Sequence, residues 1–116
     1  MESTDQPRRT RQRRGRTQEQ IDRLNKLSAD SRGLLEQLSD RLPPEAVAQY
    51  RTFSDVGEWG ELVDGLCASL VKRRIPVTPA ERDSLAELMA MFTNRDDYAY
   101  LCDPARVLTQ LVVVTA

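Results

Sequence analysis

Carboxylates are the residues in this sequence with the most chemical potential. Glu58, Glu61 and Asp64 recur three positions apart, and Asp96 and Asp97 are adjacent in a polar run. Paired carboxylates can bind a divalent cation or act as general acid and base, but both tasks need a further ligand or partner of another type. Histidine is absent from the 116 residues, which removes the commonest general base, proton shuttle and metal ligand at neutral pH. Cys67 and Cys102 lie 35 positions apart with no paired ligand beside either, so a zinc site is not supported. Gly-rich phosphate loops, a nucleophile elbow and an EF-hand pattern are all missing. The expectation is a protein without catalytic residues, metal or cofactor.

The carboxylates must be positioned by helices. Trp59, Leu62, Val63, Leu66, Cys67, Leu70 and Val71 share one apolar stripe about 140° wide at 100° per residue. Glu58, Glu61 and Asp64 fall on the polar side of that helix. Helical projection puts Gly65 and Ala68 with them, a negative face with small side chains that basic groups of a partner could approach. Trp59 can be read as an interface anchor or, from its place on the stripe, as core. Lys72, Arg73 and Arg74 suit the negative end of the helix dipole, and Pro76 prevents continuation. Thr78, Pro79 and Glu81 then form a capping-box start for a helix with Leu85, Leu88, Met89 and Phe92 on its apolar face.

The flanking segments read as helices too. Thr17 with Gln20 is a cap, and Ile21, Leu24, Leu27 or Ser28, Ser31, Leu35, Leu38 and Leu42 approximate a heptad pattern. This predicts one long helix, with a break at Ser31–Gly33 left open, ended by Pro43 and Pro44. It packs within the chain, and a homodimer through residues 21–42 is the alternative. A short helix from Pro44 to about Ser54 buries Val47, Tyr50 and Phe53, and Asp55–Gly57 turn into the Trp59 helix. Residues 93–97 are a loop by composition, and Asp103-Pro104 predicts a last helix to about Leu111. Val112–Val114 suit a strand by propensity but have no evident partner strand, so they are assigned as an extended tail.

Charge is segregated. Residues 1–16 hold Arg8, Arg9, Arg11, Arg13, Arg14 and Arg16 against Glu2 and Asp5, a net of +4. The remaining residues hold 11 basic and 16 acidic side chains, a net of −5. With no apolar residue after Met1, residues 1–16 are expected to be a disordered basic arm, either a solvated tail without a ligand, or one that folds back on the acidic body or meets the phosphates of RNA, DNA or an anionic membrane surface, and residues 17–116 a helical domain. No stretch matches a membrane span or a secretory signal, and two unpaired cysteines fit a reducing compartment, so a cytoplasmic location is expected.

The order Gly57-Glu58-Trp59, the Leu62/Leu66/Leu70 helix, Ile75-Pro76-Val77-Thr78-Pro79-Ala80-Glu81, and the Leu85/Leu88 helix resembles the core of the MafI-type family of small bacterial immunity proteins. The resemblance covers roughly residues 34–92 and leaves out the Arg-rich arm, the segment from Tyr98 onward and the valine run. It implies a protein that neutralises a cognate toxin, often a nuclease, by binding it, and it implies no catalytic residue.

Fold class and function are therefore expected as an all-α bundle of four to five helices that binds a protein partner. Glu58, Glu61, Asp64, Asp96 and Asp97 form the expected contact set. Two alternatives use other parts of the chain. One is a nucleic-acid accessory or regulatory factor working through the arm. The other is a helical adaptor or coiled-coil subunit of a larger assembly.

Overall fold

A computed structural model describes residues 17–115. The expected disordered arm, residues 1–16, lies outside the described residues. Five α-helices and a two-stranded sheet are present among the described residues: α1 (Gln18–Leu38), α2 (Pro44–Asp55), α3 (Trp59–Lys72), β1 (Pro76–Val77), α4 (Pro79–Ala90), α5 (Pro104–Gln110) and β2 (Val112–Val113). The expected all-α bundle is what the chain forms.

The α1 helix starts at the expected capping box. The Gln20 amide donates to the Thr17 hydroxyl at 3.1 Å, and the Gln20 side-chain oxygen accepts from the Thr17 amide at 2.8 Å. No break occurs at Ser31–Gly33. Ser31 is fully buried and satisfies its hydroxyl on the Ser28 carbonyl within the helix, while Gly33 faces open space and is exposed. The helix gives way to a 3-10 turn at Ser39–Arg41, short of Leu42, and the chain leaves in extended geometry before the two prolines.

Leu27, Ser31, Leu35, Leu38 and Leu42, the stripe that a coiled-coil dimer would use, are all buried within this one chain. Only Ile21 of that series is exposed, at 40%. The apolar stripe on which the alternative homodimer through residues 21–42 rests is occupied by the bundle itself.

The helices alternate in direction. Ion pairs from Arg32 to Asp55 and from Arg51 to Glu36 set α2 antiparallel to α1. Gly57 turns the chain at φ +77°, the Glu58 amide donates to the Phe53 carbonyl at 2.8 Å, and α3 returns along α2. Close packing there depends on Gly65: a Cβ at that position would lie 2.5 Å from Tyr50 Cε1. The Tyr50 hydroxyl sits 2.7 Å from Ser69 Oγ and donates to the Gly65 carbonyl at 2.9 Å. Along α3, Leu62, Val63, Leu66, Cys67 and Leu70 are buried with Leu85, Leu88 and Met89 of α4 in one core.

The junction between α3 and α4 holds a buried ionic network. Glu81 completes the expected capping box with Thr78 yet is only 4% exposed. Its carboxylate accepts two bonds from the Arg41 guanidinium, at 2.8 and 2.7 Å, and one from Gln37 at 2.8 Å. Arg41 also donates to the Pro76 carbonyl at 3.0 Å. One carboxylate thus ties the end of α1 to β1 and to the start of α4. These contacts hold Glu81 well below the usual carboxylate range, at about 2, chiefly through the Arg41 hydrogen bonds.

The valine run has a partner after all. Val112 and Val113 pair in parallel with Pro76 and Val77, and the Val114 amide donates to the Val77 carbonyl at 2.9 Å. The assignment of Val112–Val114 as an unpaired tail is corrected. Its partner is the short connector after α3, which has too few residues to read as a strand in isolation.

Candidate partner-binding site

The start of α3 and the loop after α4 come together at one end of the bundle. Tyr98 joins them. Its ring lies against Gly60, where a Cβ would collide with the phenol oxygen, so a residue without a side chain admits it. Burial raises the Tyr98 phenol above its ordinary value, and the negative charges of Glu61, Glu58, Asp64 and Asp97 raise it further. Those carboxylates come from two separate segments, Asp97 being 33 positions from Asp64 in sequence.

Their roles differ. Glu58 precedes the first turn of α3 without capping it, and both Glu58 and Glu61 are exposed. Asp97 and Asp96 are exposed in the loop, which also carries Arg95. Asp64 is half-buried, and its Oδ1 accepts the amides of Tyr100 and Leu101, both at 2.8 Å. That carboxylate is a fastener for the chain leading into α5. Within the expected contact set Asp64 is the member that is half-buried and already engaged by the fold.

The small-residue surface expected beside the carboxylates is also corrected. Gly65 lies under the Tyr50 ring, so it serves the contact between α2 and α3 and offers a partner no open approach. Trp59 packs against the core while remaining partly exposed, and its ring lies over Gly57, 3.9 Å from where a Cβ would sit. The indole N–H is buried without an acceptor among the described residues.

No group of three His, Cys, Asp or Glu side chains among the described residues could hold a metal ion. Cys67, on the buried side of α3 with its sulfur 3.8 Å from that of Met89, has its thiol pushed up to about 12 by burial and then by the charge of Asp64. It stays protonated and unreactive. No helix among the described residues is long and apolar enough to cross a membrane.

Sequence reasoning reads Tyr98 only as apolar surface, with Tyr100 and Leu101, and not as the residue that seats the loop on the start of α3. An aromatic residue directly after Asp96-Asp97 was the available signal, because a half-buried phenol needs a cleft and Gly60 supplies one. It also treated Glu81 as a helix cap alone, since nothing local to Thr78–Glu81 announces Arg41 or Gln37.

No protein-family model matches the chain, and neither a curated protein nor a solved structure matches it.

Proposed function

We propose that this chain is a binding protein without catalytic activity, of the small bacterial immunity type, which neutralises a cognate toxin in the cytoplasm by covering it. The observation that carries the reading is the docking of the loop after α4 on the start of α3, through Tyr98 against Gly60 and through Asp64 on the Tyr100 and Leu101 amides, which puts the exposed carboxylates of two separate segments at one end of the bundle. Asp64 fastens the chain at Tyr100 and Leu101, just after the loop, to α3, while Glu58, Glu61, Asp96 and Asp97 remain exposed. Such a surface suits a cationic protein, for instance a nuclease whose substrate groove is positive. Electrostatic complementarity speeds encounter and excludes unlike partners. The MafI-type resemblance of the Gly57-Glu58-Trp59 and Ile75–Glu81 segments supports the same class of activity.

Capture from the lysate of the producing cell tests the reading. After nuclease treatment, the wild-type chain should retain a cationic protein, and the variant Glu58→Arg/Glu61→Arg should release it while keeping its helical content. Equal retention by both chains would remove the acidic end from the interaction. Asp64 is left unchanged in this test because its reversal would disturb the fold.

A further inference from the structure

The opposite end of α3 carries the reverse charge. Lys72, Arg73 and Arg74 are exposed, and Arg106 is exposed on α5. None of the four forms an ion pair among the described residues. Between α3 and α5 run two adjoining hollows of about 400 and 540 Å³ that share Val71 and Gln110. Arg106 and Tyr100 line the first, and Arg74 lines the second. Lys72 Nζ stands 6.0 Å from the centre of the Tyr100 ring, which brings it to the same rim. Asp103 is the acidic residue of this lining, and its Oδ1 already accepts the Arg106 amide at 3.3 Å. The result is an elongated trough with apolar parts to its floor and cations along its length.

Backbone geometry at Arg74 adds an independent observation. Its φ is +53°, in the left-handed region, and it stands just beyond the end of α3. The Arg74 amide donates to the Val71 carbonyl at 3.3 Å and the Ile75 amide to the Leu70 carbonyl at 3.1 Å, the closing pattern in which glycine is the favoured residue. Arginine carries a steric cost there that glycine would avoid. The left-handed backbone also sets the Arg74 side chain, which is exposed, just past the end of α3 at the rim of the second hollow.

We propose that this trough binds the sugar–phosphate chain of a nucleic acid, with Lys72, Arg74 and Arg106 each meeting a phosphate and Arg73 adding to the field. Nucleic acid is favoured over an acidic protein because the chain has a second cationic element in its sequence. The six arginines of residues 1–16 and these four make up ten of its 17 basic residues. A regularly charged polymer is the ligand that two separate cationic elements can share. Contacts of this kind read charge and spacing and carry no base specificity. The proposal is independent of the acidic end.

Fluorescence anisotropy of a labelled oligothymidylate with the full-length chain, at salt between about 50 and about 200 mM, tests it. The variant Lys72→Ala/Arg74→Gly/Arg106→Ala should bind about tenfold more weakly and lose about 2 from the slope of log affinity against log salt, since each single-strand phosphate contact contributes about 0.7. Arg74→Gly alone should weaken binding while raising the unfolding midpoint, which separates lost contact from lost fold. A chain with its six arm arginines replaced by alanine should still respond to the triple substitution. Unchanged affinity and slope in the triple variant would overturn the proposal, as would absence of binding by the unaltered chain. Tighter binding of poly-glutamate than of the oligonucleotide would also overturn it, assigning the trough to an acidic protein.

Discussion

Replacing Glu81 with alanine should be among the most damaging single changes on the polar side of this fold. Glu81 is 4% exposed, whereas the Arg41 side chain that it holds with two hydrogen bonds is 30% exposed. Breaking a buried ion pair by removing one partner costs about 3–5 kcal/mol, and the partial exposure of Arg41 puts this case near the lower end. The same substitution frees the Thr78 amide, which donates to Glu81 at 2.9 Å, for about a further 1 kcal/mol. A loss of about 3–4 kcal/mol is a large share of the roughly 5–15 kcal/mol by which a domain of this size is stable. In urea, with a slope of about 2 kcal/mol per M, the midpoint followed by far-ultraviolet circular dichroism should fall by about 1.5–2 M. Arg41→Ala and the double variant complete a cycle whose coupling should exceed about 1.5 kcal/mol. A midpoint shift below about 0.5 M for Glu81→Ala, or an additive cycle, would refute the view that this network clamps α1 to α4.

Other perturbations have equally definite outcomes. Glu81 and Glu36 are both held at about 2, each mainly by hydrogen bonds from arginine, against an ordinary value of 4.5. Their contribution to stability is therefore complete above about pH 4.5 and lost as pH falls toward 2, so acid unfolding of Glu81→Ala should show a shallower pH dependence in that window. Gly65→Ala should cost about 1–3 kcal/mol, because the new methyl meets the buried Tyr50 ring, and thermal melts would measure it. Asp64→Ala removes the acceptor of the Tyr100 and Leu101 amides, so hydrogen exchange should accelerate at those two positions, with a loss of about 2 kcal/mol. Arg74→Gly should stabilise the fold by about 1 kcal/mol through relief of its left-handed backbone, checked by urea melts.

Much of the architecture was legible because it depends on short-range patterns. The capping boxes at Thr17 and Thr78, the proline at the start of α2, and the Asp103-Pro104 start of α5 are written in two to four consecutive residues. The apolar stripe of α3 is likewise local, and most of its members are buried. What could not be read depends on contacts between residues far apart in sequence. Pairing of Val112–Val113 with Pro76–Val77 spans 36 positions and rescues a strand too short to declare itself. Gly65 looked like open surface because helical projection places it beside the carboxylates, while the neighbour that covers it, Tyr50, belongs to α2. For the acidic end, spacing identified Glu58, Glu61 and Asp64 as a set but could not assign them tasks. Asp64 is recruited by the backbone of Tyr100 and Leu101, and Tyr98, seated against Gly60, ties the segment that follows Asp97 to the start of α3.

The most direct test of the central claim is titration of the captured protein partner with the unaltered chain and with Glu58→Arg/Glu61→Arg, at low and at physiological salt. The charge-reversed chain should associate at least about tenfold more slowly and bind at least about tenfold more weakly, with the difference narrowing as salt rises. Equal affinity and equal association rates for both chains would contradict it, and would show that the acidic end is a solvated surface and not the site of recognition.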